Sequence, residues 1–130
     1  MLISGTETIL LVDDEQMILE VGKELLEKLG YRVLVASGGE KALGVIQEYN
    51  EIIDLAIIDL IMPDMEGGQL FDYIKESFPD MPVILSSGYA IDGKAEKIMK
   101  RGCNGFMQKP FNISKLSIKI RQVLNEVKNS

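Results

Sequence analysis

Short apolar runs alternate along the chain with longer stretches in which apolar residues recur every three or four positions. The runs Ile9–Val12, Val33–Ala36, Leu55–Ile58, Val83–Leu85 and Phe106–Met107 predict strands. The first, third and fourth are continuously apolar, the pattern of strands covered on both faces, as in a parallel sheet between helix layers. Between the runs, Ile18, Val21, Leu25 and Leu29 fall on one helix face, and Gly30 stands where that helix would stop. Ala42, Leu43 and Ile46 mark a second helix. Leu70, Phe71 and Ile74 mark a third, ended before Pro79, and Ala95, Ile98 and Met99 a fourth, ended by Gly102. Leu116, Ile120, Leu124 and Val127 mark the last, with Asn112 as its N-cap.

The order is strand–helix repeated five times. Right-handed crossovers then give an α/β fold, a doubly wound parallel sheet in strand order 2-1-3-4-5. The 130 residues fit a single domain. We read residues 1–7 as a tether and 8–128 as the domain, with no internal linker, repeat or low-complexity segment.

Composition removes whole classes of chemistry. There is no histidine, hence no Ser-His-Asp or Cys-His arrangement, no imidazole metal ligand and no phosphohistidine carrier. Cys103 is the single cysteine, which excludes an internal disulfide and a CxxC zinc site and suits a reducing cytosol. Fourteen basic against twenty acidic residues leave a formal charge of −6, a poor basis for binding nucleic acid directly. No apolar run approaches the ~20 residues of a membrane span, and the opening MLISGTET lacks the features of a signal peptide. A cytoplasmic location with no membrane insertion is expected.

In a sheet of this kind ligands bind beyond the carboxyl ends of the strands. Strand one ends in Asp13-Asp14, followed by Glu15; strand three ends in Asp59, strand four in Ser86-Ser87-Gly88 and strand five in Lys109-Pro110. Taken singly, an Asp after a strand is a turn residue or helix cap, Ser87-Gly88 a turn and Lys109 a surface lysine. Their joint placement at four strand ends is harder to assign to such roles. Carboxylates brought close repel, and one would take up a proton unless a hard divalent cation joined them. Mg2+ takes oxygen ligands and commonly uses one or two carboxylates plus phosphate oxygens. A carboxylate kept ionised in this way can accept a phosphoryl group, with Lys109 and the Ser87 hydroxyl binding the transferred oxygens.

The stretches Leu11-Val12-Asp13-Asp14-Glu15, Asp59-Leu60-Ile61-Met62-Pro63-Asp64-Met65-Glu66-Gly67, Ser86-Ser87-Gly88 and Lys109-Pro110-Phe111 resemble the receiver domain of two-component response regulators. The resemblance spans roughly residues 7 to 127 and implies a flavodoxin-like (βα)5 fold. It implies that Asp59 is the phosphoacceptor and that Asp13, Asp14, Asp59 and the Ile61 carbonyl hold Mg2+, with Mn2+ as a substitute. Asp14 is then the direct ligand, and Asp13 acts through water. Ser87 matches the switch hydroxyl, Lys109 the lysine that pairs with the phosphoryl group, and Phe106 the aromatic position coupled to the switch, although Phe106 also reads as a plain core residue. Pro110 matches a proline whose cis peptide bond aims Lys109 inward.

The resemblance further implies a phosphorelay function: phosphoryl transfer from a histidine kinase or phosphotransfer domain onto Asp59, then a switched surface for a downstream protein. Such a chain catalyses only its own phosphorylation and dephosphorylation. Helix four, strand five and helix five would form the output face, with Ala90, Ile91, Lys94 and Phe106 on it, and a homodimer through that face is one arrangement. The opening segment and Ser87-Gly88-Tyr89-Ala90 are similar to receivers attached to hybrid sensor histidine kinases. Either a stand-alone regulator or a domain of a larger chain is compatible with the sequence.

Three positions depart from the common pattern or bear on turnover. Ser87 replaces the commoner threonine, keeping the hydroxyl but losing the methyl that restricts its rotamer. The Ile61 side chain cannot orient an attacking water, and Tyr89 could shade the acceptor. Together they predict a long-lived phosphorylated form. Three rivals stand beside this reading. A dehalogenase-type aspartyl-phosphate phosphatase would need a second Asp where Ile61 stands. A flavodoxin-like electron carrier would need a phosphate loop where Asp13-Asp14-Glu15 stands. An interaction module that is never phosphorylated has no need of the full polar set.

Overall fold

The computed structural model describes residues 2–128. Five strands, β1 (Thr8–Val12), β2 (Arg32–Ala36), β3 (Leu55–Asp59), β4 (Val83–Ser87) and β5 (Gly105–Gln108), alternate with five helices. The helices are α1 (Gln16–Lys28), α2 (Gly39–Tyr49), α3 (Gly67–Ser77), α4 (Gly93–Lys100) and α5 (Ile113–Lys128). All strand pairs are parallel and the sheet order is β2-β1-β3-β4-β5, as the alternation predicts.

The first, third and fourth apolar runs lie in the three central strands, and every residue of β1, β3 and β4 is buried. The edge strands β2 and β5 are partly exposed. Alternate side chains feed two cores. Leu10, Val12, Ala56, Ile58, Val83 and Leu85 meet the apolar faces of α2, α3 and α4. Ile9, Leu11, Leu55, Ile57 and Ile84 meet those of α1 and α5. Each fully buried Leu, Ile or Phe contributes about 1.5–3 kcal/mol, so this two-sided burial fixes the register. A one-residue slip would exchange the two faces of a strand.

Helix ends follow the sequence signals. Gly30 and Gly102 follow α1 and α4 with φ of +100° and +107°, and the Asn112 side chain accepts the Lys115 N–H at 2.8 Å at the start of α5. Residues 2–7, read as a tether, form no helix or strand but are fastened to the domain. The Ile3 N–H donates to Ser117 Oγ, whose hydroxyl donates back to the Ile3 carbonyl. The Gly5 N–H donates to the Leu29 carbonyl, and Glu7 receives both terminal nitrogens of Arg121 at 3.0 and 2.7 Å. No described helix is long and apolar enough to cross a membrane.

Candidate functional site

The pairing register sets the carboxyl ends of the central strands level. Val12 is opposite Ile58 and Asp59 is opposite Ser86. Asp13, one residue past β1, therefore stands beside Asp59, the last residue of β3. Carboxylate oxygens of Asp13, Asp14 and Asp59 all lie within 4.8 Å of one another. Asp13 and Asp59 are buried, whereas Asp14 is exposed.

Lys109 enters this cluster from the end of β5. Its Nζ lies 2.8 Å from Asp13 Oδ2 and 3.2 Å from Asp59 Oδ1. The Lys109 N–H donates to the Ser87 carbonyl at 2.7 Å, and the Lys109–Pro110 peptide bond is cis. Asp13 Oδ1 accepts the Glu15 N–H at 2.9 Å, so one carboxylate both shapes the turn into α1 and faces the lysine. Ser87, buried at the end of β4, accepts the Tyr89 N–H on its Oγ at 3.1 Å.

Electrostatics follow from this crowding. Burial pushes the Asp59 carboxyl up, and the Asp13 charge pushes it further. Lys109 pulls against both, and the balance lies at about 6. For Lys109 burial acts downward, but the bond to Asp13 and the charges of Asp59 and Asp13 outweigh it and hold the ammonium above its ordinary value. Two buried carboxylates and a third within reach, facing one ammonium, form a donor set of hard oxygens suited to a divalent cation. Asp13, Asp14 and Asp59 thus fit a magnesium ion on donor type and spacing.

An open cleft of about 620 Å3 covers the cluster, lined among others by Asp14, Asp59, Ile61, Ser87, Tyr89, Lys109 and Pro110. Ile61 and Tyr89 are 54% and 69% exposed and present the cleft's apolar surface. The structure therefore brings together Asp13, Asp14, Asp59, Ile61, Ser87 and Lys109 from the ends of four strands. Phe106 lies apart from them. It is half-buried against the α2–α4 core and lines a separate groove of about 280 Å3 between β5 and α5, with Phe111, Lys115, Ile118 and Lys119. Ala90, Ile91 and Lys94 are exposed, and Lys94 pairs with Glu66 at 3.0 Å.

Two groups with structural consequence at this edge carried no assignment from sequence. At Gly67 any side chain would collide with the Asp59 carbonyl, so glycine alone lets α3 start directly behind the end of β3. Asp64 bonds α2. The motif stretch contains both residues, but their contacts become visible only in three dimensions.

A parallel 2-1-3-4-5 sheet with an acidic trio and a lysine at its carboxyl edge defines a class of carboxylate-bearing α/β domain. The sequence pattern of the response regulator receiver domain matches residues 9–121, and the chain belongs to that family. The chain is 33% identical over 124 residues to the sensor kinase CckA of Brucella abortus, a match that covers 95% of this chain and 13% of that protein. It thus spans a small part of that relative's length. A receiver domain protein from Clostridium thermocellum superposes with a TM-score of 0.89 at 36% identity, covering 95% of this chain and 98% of that one. The response regulator TrrA of Thermotoga maritima, solved in complex with Mg(2+)-BeF, superposes with a TM-score of 0.79 at 30% identity, covering 90% and 98%.

Proposed function

We propose that the domain accepts a phosphoryl group on Asp59 from a phosphohistidine of a histidine kinase or phosphotransfer domain and signals by changing its partner-binding surface. The observation that carries this reading is the placement of Asp59 within 4.8 Å of two further carboxylates and 3.2 Å from the Lys109 ammonium. The TrrA relative solved with Mg(2+)-BeF supports it, at 30% identity over almost the whole domain.

Asp13, Asp14, Asp59 and the Ile61 carbonyl would hold Mg2+. The ion supplies charge neutralisation for the acidic trio and for the incoming phosphoryl oxygens. The residues do the rest. Asp59, at the tip of a rigid, fully buried strand, points a carboxylate oxygen into the cleft as nucleophile. The phosphorus–nitrogen bond of the donor breaks as the carboxylate–phosphorus bond forms, and the imidazole leaves with the donor. Lys109 is held in reach by Asp13 and can turn its ammonium to the new anionic oxygens. The modification adds a charge of roughly −1.5 to −2 and strong acceptors. The Ser87 hydroxyl then exchanges its Tyr89 N–H for a role as donor to a phosphoryl oxygen.

That exchange couples site to surface. Tyr89 leads directly into Ala90, Ile91 and α4, an eight-residue helix that buries only Ala95 and Ile98. So small a buried face makes α4 the easiest element to move, and the modification biases its position. The receiving surface is the α4–β5–α5 face. The groove at Phe106 and Ile118 is flanked by Lys115 and Lys119 and has no acidic residue in its lining, which suits a downstream protein better than a second copy of the same basic face.

The test is addition of beryllofluoride with Mg2+, read by NMR. Shifts centred on Asp59, Ser87 and Lys109 and spreading into α4 are expected. A spectrum that does not respond would contradict the reading and favour an interaction module that is never phosphorylated.

A further inference from the structure

The loop from Leu60 to Glu66 carries Ile61 and is fastened at two places. At its base the Gly67 N–H donates to the Leu60 carbonyl at 2.9 Å. At its outer turn Asp64 reaches across to α2. Its Oδ1 accepts the Gly39 N–H at 3.1 Å and its Oδ2 accepts the Glu40 N–H at 3.0 Å. Both donors are among the first N–H groups of the helix, which have no partner within it. The two segments are closely fitted there. Gly38 takes φ +132°, and a side chain on it would press on the Asp64 carboxylate, while one on Gly39 would strike Met65.

The same corner also holds the other acidic loop. The Asp13 N–H donates to the Ala36 carbonyl at 3.2 Å. Residues 36–40 thus touch the Asp13–Asp14 turn on one side and, through Asp64, the Ile61 loop on the other. Asp64 is not one of the three clustered carboxylates, so its charge is committed to α2.

We propose that Asp64 is a positioning residue for the acceptor site. Its carboxylate braces the Ile61 loop against the β2–α2 corner and so sets the distance between the Ile61 carbonyl and the Asp13–Asp14 carboxylates. The inference rests on the metal reading above and adds a residue to it. A plain helix cap would stabilise α2 and leave ion binding unchanged; a brace alters ion binding as well.

The experiment titrates Mg2+ into the wild type, Asp64→Ala, Asp64→Asn and Glu7→Gln by NMR, with thermal stability measured alongside. Glu7→Gln is the control, because it loses an ion pair before β1, at the opposite end of the sheet. Asp64→Ala should weaken Mg2+ binding about tenfold, the scale on which supporting groups act on a metal site. Asp64→Asn keeps one acceptor oxygen and should recover part of the loss, and it serves in place of the alanine variant if that does not fold. Glu7→Gln should lose stability and bind Mg2+ as the wild type does. Asp64 variants that lose stability but bind Mg2+ with unchanged affinity would overturn the brace and leave a simple cap. A wild type that binds no Mg2+ would overturn the metal reading itself, and the brace with it.

Discussion

Lys109 spans two buried carboxylates, with its Nζ 2.8 Å from Asp13 and 3.2 Å from Asp59. Burial of Asp59, and after it the charge of Asp13, outweigh the pull of that one ammonium and raise the Asp59 carboxyl to about 6 against an ordinary 3.8. An acid whose folded pKa is raised binds more protons folded than unfolded between those two values. Stability therefore falls as pH rises from about 4 to 6 and stays reduced above. In Mg2+-free buffer at pH 8, Asp59→Asn should be more stable than the wild type by about 1–3 kcal/mol. The gain should shrink toward nothing below pH 4. Urea denaturation at the two pH values checks this, and equal stabilities at pH 8 would contradict it.

Lys109→Ala should act in the opposite sense on chemistry. Without the ammonium, Asp13 and Asp59 face each other unpaired, and Asp59 is held further toward its protonated form. Phosphorylation by a small donor at pH 7 should fall at least tenfold, the equivalent of about 1.4 kcal/mol. Time courses of intact mass would show it.

Glu7 and Arg121 form a largely enclosed pair, 14% and 12% exposed. The two bonds from Arg121 hold the Glu7 carboxyl below its ordinary value, outweighing the upward push of burial. A lowered folded pKa gives stability that is present above the unfolded value and lost as pH falls through the folded one. Glu7→Gln should cost about 1–2 kcal/mol at pH 7, less at pH 3, and leave phosphorylation at Asp59 unchanged. A cost independent of pH would count against the pairing as its source.

The fold was legible because its signals are local and periodic. The apolar runs at 9–12, 55–58 and 83–85 became the three central strands, whereas those at 33–36 and 106–107, equally apolar, became edges partly open to solvent, a placement set by strand order rather than by the run itself. The carboxyl edge was legible for a related reason: once the strand order is known, the one or two residues after each run must lie there. Asp13, Asp59, Ser87 and Lys109 do so. The brace by Asp64 was not legible, since its partners lie 25 and 24 residues earlier and only the packing of α2 beside α3 brings them close. Nor was the anchoring of residues 2–7. Leu2-Ile3-Ser4-Gly5 has no period, and its hold on Ser117 spans 114 residues.

Ile61 and Tyr89 are exposed and line the cleft over Asp59. Under the proposed function, an apolar side chain at 61 offers no group to orient a hydrolytic water, and the ring at 89 stands in the lining of the cleft beside Asp59. Ile61→Asn combined with Tyr89→Ala should speed loss of the phosphoryl group roughly tenfold, about 1.4 kcal/mol of barrier. Decay of the phosphorylated mass after removal of the donor measures it. Decay of the wild-type adduct within seconds would contradict the assignment.

The central claim is that Asp59 becomes phosphorylated. Its most direct test is intact mass spectrometry after incubation with acetyl phosphate and Mg2+, for the wild type and Asp59→Asn side by side. One added phosphoryl group on the wild type, none on the variant and none when the ion is chelated is the predicted result. No gain on the wild type, or the same gain on Asp59→Asn, would contradict the account.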